Sequence, residues 1–104
     1  MKQTNYEAVA AQLAALTECI PYEVANLANA SALLWQEMEG INWVGFYKMT
    51  DGALVLGPFQ GKPACIEIPV GRAGCGEQLF CIYFLDLHLG NTHGALLLLH
   101  FSSL

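Results

Sequence analysis

Up to Gly40 the apolar residues recur every three or four positions, and from Ile41 to Met49 the pattern becomes alternating. Those are the periods of a helix face and of a pleated strand, so helices are expected first and a sheet after them. Tyr6, Val9, Ala10, Leu13 and Leu16, continued by Cys19, mark one face of a helix over about residues 5–18. Thr4-Asn5-Tyr6-Glu7 fits a capping box in front of it, with the Thr4 hydroxyl taking an orphan backbone N–H and Glu7 reaching back. Pro21 suits the first turn of a second helix over about residues 22–39, where its missing N–H costs nothing, and Glu23 adds favourable charge there. Val24, Leu27, Ala28, Ser31, Leu34, Trp35 and Met38 form the stripe of that helix, and Gly40 lies where a left-handed C-terminal cap belongs. Ala25, Ala28, Ala30 and Ala32 keep its surface small enough for close approach to a sheet.

From Ile41 to Met49 the alternation puts Trp43, Gly45 and Tyr47 on one face and Val44 and Phe46 on the other. Bulk on both faces predicts a central strand, or one whose second face lines a pocket. Asp51-Gly52 is a strong hairpin turn, and Ala53–Leu56 reads as the return strand. Gly57-Pro58 is expected to end it, because proline cannot donate to the ladder. Phe59–Ala64 then reads as a loop, and Cys65–Ile68 as a short strand stopped by Pro69. Gly71, Gly74 and Gly76 surround Cys75 in a loop that can bring bare backbone close to a ligand, or simply turn tightly.

Composition narrows the class. The chain has 104 residues, 55% hydrophobic and 12% charged, against a usual charged share of about 25%. That length predicts one domain at most, with most of the chain in the core. Nine acidic against four basic residues give a net charge of −5, and the basic ones are scattered, which excludes a phosphate-binding patch and hence nucleic acid as partner. The N-terminal residues lack the pattern of a secretory signal, and no apolar run approaches the roughly 18 residues of a spanning helix. A cytoplasmic protein with no membrane contact is expected.

The cysteines at 19, 65, 75 and 81 form no CxxC pair and no Cys/His spacing typical of zinc, so no metal is expected. In a reducing compartment the default for each is a buried free thiol. Trp43 and Tyr47, on one strand face, are either core or the wall of a small-molecule site.

Three longer segments carry a family likeness: Ala25-Asn26-Leu27-Ala28-Asn29-Ala30-Ser31-Ala32-Leu33-Leu34, then Ile41-Asn42-Trp43-Val44-Gly45-Phe46-Tyr47, then Leu54 through Cys65, reading LVLGPFQGKPAC. In order and spacing they resemble the free methionine-(R)-sulfoxide reductases, a GAF-domain family, over about residues 6–76. The resemblance implies an α+β, GAF-like fold, a central antiparallel β-sheet with packed N-terminal helices, here truncated. It implies reduction of free L-methionine (R)-S-oxide to methionine by cysteine thiol chemistry, with thioredoxin as reductant and no cofactor. A thiolate attacks the sulfoxide sulfur, oxygen leaves, and the resulting sulfenic acid condenses with a second thiol to a disulfide. By resemblance Cys65 is the resolving cysteine, Cys75 a secondary redox position, and Trp43 and Tyr47 line the substrate pocket. The family's nucleophile, a third cysteine in a later segment, and the carboxylates that hold the substrate amine have no counterpart here. The rival readings are a non-catalytic GAF-type small-molecule-binding module and a thiol-redox protein in which Cys65 and Cys75 pair without acting on a sulfoxide.

After Gly76 the likeness stops. Residues 77–104 contain no Lys or Arg, all three histidines and a Leu96–Leu99 run. The expected division is therefore residues 1–76 as the N-terminal half of a GAF domain and 77–104 as an atypical apolar tail, with a shift of reading frame after Gly76 as the origin of the break. Cys81 is not expected to replace the nucleophile, and His88, His93 and His100 are too irregularly spaced for a ligand set. Phe80–Leu89 fits a strand or a short helix equally. A sheet lacking its second half would leave edges and apolar surface open, predicting a marginal or self-associating chain, with a homodimer as one outcome.

Overall fold

A computed structural model describes residues 5–69, 82–86 and 95–101, the segment 82–86 through its backbone. The first helix, α1, spans Tyr6–Thr17. Its cap is Asn5, one residue later than the capping-box reading, and Asn5 Oδ1 accepts the Ala8 N–H at 3.1 Å. Val9, Leu13 and Thr17 are its buried row, while Tyr6 and Leu16 are exposed. Thr17 can lie inward because its hydroxyl donates to the Leu13 carbonyl at 3.0 Å. Cys19, at the turn that follows, is exposed and left-handed (φ 59°) rather than a buried thiol.

Helix α2 spans Glu23–Glu37. Tyr22 is its N-cap residue, so Pro21 precedes the helix instead of opening its first turn. The buried side is Asn26, Leu27, Ala30, Ser31 and Leu34; Val24 and Trp35, expected on the stripe, face outward. Polar Asn26 is tolerated there because its Nδ2 donates to the Ile20 carbonyl at 3.0 Å, fastening the inter-helix turn. The C-cap of α2 is Met38, in an extended conformation, so Gly40 is not the expected cap; its left-handed φ of 79° serves the turn that leads into the next element.

The sheet comprises β1 (Ile41–Thr50), β2 (Ala53–Gly61), β3 (Glu67–Pro69), β4 (Ile82–Asp86) and β5 (Ala95–Phe101). Their spatial order is β3-β2-β1-β5-β4, and every neighbouring pair is antiparallel. Asp51 and Gly52 both have positive φ, 48° and 80°, as a two-residue hairpin with right-twisted strands demands. Strand β2 does not stop at Gly57-Pro58. Gly45 pairs with Phe59 and Tyr47 with Leu56, so Gly57 and Pro58 together oppose Phe46 in a bulge. Proline fits there because a bulge leaves a residue outside the ladder. The residues Phe59, Gln60 and Gly61, expected in a loop, are thus strand. β3 begins two positions after Cys65 and keeps Pro69 as its final residue, paired with Ala53 at the sheet edge.

Strand β1 is central, as its two bulky faces predict. Val44 and Phe46 join Ala95, Leu97 and Leu99 of β5 under Val9, Leu13, Leu27, Ala30 and Leu34 of the helices. The opposite face gathers Trp43, Tyr47, Leu98 and Ile68. The Leu96–Leu99 run is therefore strand, pairing along β1 from Tyr47–Leu96 to Val44–Leu99, and β1 has no open edge. Within the segment that fitted helix or strand, Ile82–Asp86 is a strand and pairs with β5.

Candidate functional site around Trp43, Tyr47 and Cys65

The face of β1 turned away from the helices carries the candidate chemistry. Trp43 stacks on Phe59 of β2 at a centroid distance of 5.4 Å and an interplanar angle of 17°, and lies 6.2 Å from the Tyr47 ring at 34°. Gly45, between the two aromatics on β1, makes the stack possible. A Cβ there would lie 2.3 Å from Phe59 Cβ and 2.7 Å from the Trp43 ring. Gly61, cross-strand from Trp43, has φ 128° and is equally crowded by the indole.

Residues 62–66 connect β2 to β3 and carry Cys65. Side chains of β1 hold this connection at two points. Trp43 Nε1 donates to the Lys62 carbonyl at 2.9 Å, and the Tyr47 hydroxyl donates to the Cys65 carbonyl at 2.6 Å. A third tie is main-chain, from the Leu56 N–H to the Ile66 carbonyl at 2.8 Å. Tyr47 is fully buried, and Trp43 is only 6% exposed. Burial raises the Tyr47 pKa above its ordinary value near 10, which keeps the phenol protonated and donating.

Cys65 is disulfide-bonded, its partner lying outside the described residues, and is partly buried against the aromatic cluster with Ala64. The expectation of a free thiol at this position is corrected. Among the described residues Cys19 is the free cysteine. Trp43, Tyr47 and Cys65 are therefore brought together. Cys75, Cys81, His88 and His93 lie outside the described residues, and His100 Nδ1 pairs with Asn42 Oδ1 on β1. Phe59 and Lys62 belong to this cluster although neither was singled out in the sequence. Glycines at 45 and 61, flanking a tryptophan on paired strands, are the signal that could have found Phe59.

The arrangement sets a disulfide-bonded cysteine beside an aromatic cluster on a short connection tied to the central strand. The fold as a whole is shared with solved structures. The fRMsr of Staphylococcus aureus in its reduced form superposes with a TM-score of 0.76 at 31% identity, covering 96% of this chain and 80% of that one. The chain belongs to the free methionine-R-sulfoxide reductase family.

The free methionine-R-sulfoxide reductase of Escherichia coli is 62% identical over 56 residues, covering 54% of this chain and 34% of that protein. A solved GAF domain, 32% identical, matches with a TM-score of 0.60 over 86% of this chain and 60% of its own, so the fold is GAF-like. The chain spans between about a third and a half of the length of the curated relatives it matches. No family model matches it. Among the described residues no helix is long and apolar enough to cross a membrane.

Proposed function

We propose that this chain reduces free L-methionine (R)-S-oxide to methionine, drawing electrons from thioredoxin through a disulfide that includes Cys65, and that it does so more slowly than its relatives. The observation that carries the reading is the Cys65 disulfide tethered against the Trp43–Tyr47 face, in a chain of this family. Chemically, one thiolate attacks the sulfoxide sulfur and the oxygen leaves that sulfur, giving methionine and a cysteine sulfenic acid. The second thiol then attacks the sulfenic sulfur. The S–S bond forms, the S–O bond breaks, and the oxygen departs as water with both thiol protons. Thioredoxin dithiol returns the two electrons.

In this reading Cys75, the secondary redox position, makes the attack in place of the family's nucleophile and carries the sulfenic acid, Cys65 resolves it and so pairs with Cys75, and Trp43 and Tyr47 contribute the apolar wall that receives the substrate's methylene and methyl groups. The rate is low because residues 77–104 contain no segment like the one that holds the family's nucleophile, which leaves the attack to a cysteine outside that setting. Peptide mapping after alkylation under non-reducing conditions checks the pairing: a Cys65–Cys75 linkage is expected, and a Cys65–Cys81 linkage would contradict it.

The assay that tests the function is thioredoxin-coupled turnover of the separated R and S epimers. R-selective turnover that disappears in Cys65→Ser supports the reductase. Binding of the sulfoxide without turnover would instead favour a non-catalytic GAF-type binding module, and disulfide cycling without sulfoxide consumption a thiol-redox protein. A cytoplasmic location suits a thioredoxin-linked cycle.

A further inference from the structure

We infer that Tyr47 and Trp43 are positioning residues that hold the Cys65 connection in the geometry needed for disulfide closure; this rests on the proposed redox role of Cys65. Their polar atoms point at the connection's own backbone. The Trp43 indole N–H takes the Lys62 carbonyl at its start, and the Tyr47 hydroxyl takes the carbonyl of Cys65 itself. Both donors sit on the central strand, which is paired along both edges, so the connection is referenced to the most constrained part of the sheet. The carbonyl bond fixes the Cys65 backbone next to the atom that carries the thiol. The bond is made to the backbone carbonyl and does not engage the sulfur that forms the disulfide.

The physical consequence is preorganisation. When Cys65 resolves a sulfenic acid, the S–S bond ties down a connection that, untethered, would first have to be ordered, and that ordering opposes closure. A tether that restricts the thiol form in advance removes part of this opposition and raises the effective concentration of Cys65 at its partner. Removing the Tyr47 hydroxyl keeps the buried ring and deletes the tether. Handing the ordering cost of about one backbone residue back to the closure step corresponds to about a fivefold fall in the equilibrium constant for disulfide formation. Since a tenfold change in this two-electron couple is about 30 mV, the potential rises by about 20 mV.

The experiment equilibrates the full chain with graded oxidised and reduced glutathione, traps thiols by alkylation, and reads Cys65 by mass spectrometry. Tyr47→Phe is expected to shift the constant about fivefold toward the thiol, and Trp43→Phe in the same direction, while Tyr22→Phe, at an exposed tyrosine, stays at the wild-type value. A role confined to fold stability weakens thiol and disulfide forms alike and leaves the constant unmoved. Unchanged constants in both Tyr47→Phe and Trp43→Phe would overturn the inference. Turnover of the R-sulfoxide by the wild type is measured separately, so that loss of the reductase reading and loss of the tether are distinct results.

Discussion

Gly45 shows how much of the site depends on a single missing methyl group. Its hypothetical Cβ collides with both Phe59 and Trp43, the two rings of the stack. Gly45→Ala is expected to destabilise the fold by about 1–3 kcal/mol, the usual range for overpacking, as read from the midpoint of urea unfolding. At Tyr47 the sign of the pH dependence follows from its raised pKa. Between the unfolded value near 10 and the higher folded one, the unfolded phenol ionises while the buried phenol keeps its proton. The stability Tyr47 contributes is thus fully present below about pH 10 and is lost as pH rises through the folded pKa. Tyr47→Phe should flatten this alkaline decline in denaturation curves collected across that range. The alternation of β1 made it legible that Trp43 and Tyr47 share a face. That their polar atoms grip Lys62 and Cys65 was not legible, because hydrogen bonds to main-chain carbonyls depend on how the connection folds back.

Element boundaries reflect the same division between local pattern and tertiary context. Both helices and the hairpin follow from periodicity and from Asp51-Gly52, whereas β2 runs on to Gly61 because the bulge opposite Phe46 accommodates Pro58. The bulge is anchored to α2. The Ser31 hydroxyl shares its single proton between the Leu27 carbonyl at 2.9 Å and the Pro58 carbonyl at 3.1 Å. Ser31→Ala should cost about 1 kcal/mol, and somewhat more if the Pro58 carbonyl stays buried and unpartnered, measured by the same unfolding experiment. In β5 the alternation is hidden by an unbroken leucine run, which reads as featureless apolar sequence. The structure resolves it: Leu97 and Leu99 go under the helices and Leu98 joins the Trp43 side. Leu97→Ala, on the helix side, is expected to lose about 2–5 kcal/mol of stability.

Among the described residues, α1 and α2 pack on one face of the sheet, while the aromatic cluster on the other face packs against Ala64 and Cys65 of the connection. Exposed apolar residues persist at Tyr6, Tyr22, Val24, Trp35 and Ile66. Such surface favours association in a chain with few charges, and sedimentation velocity is expected to show a dimer or larger species whose share grows with concentration. The fold class was legible because period, turn chemistry and the three family-like segments agree. The place of residues 95–101 was not, since pairing with β1 is a non-local choice that no short pattern dictates. The measurement that tests the account most directly is thioredoxin-coupled consumption of free methionine sulfoxide by the wild-type chain beside Cys65→Ser. The account predicts slow, R-epimer-selective turnover that is lost with the Cys65 thiol, and equal consumption of both epimers, or none above the Cys65→Ser level, would contradict it.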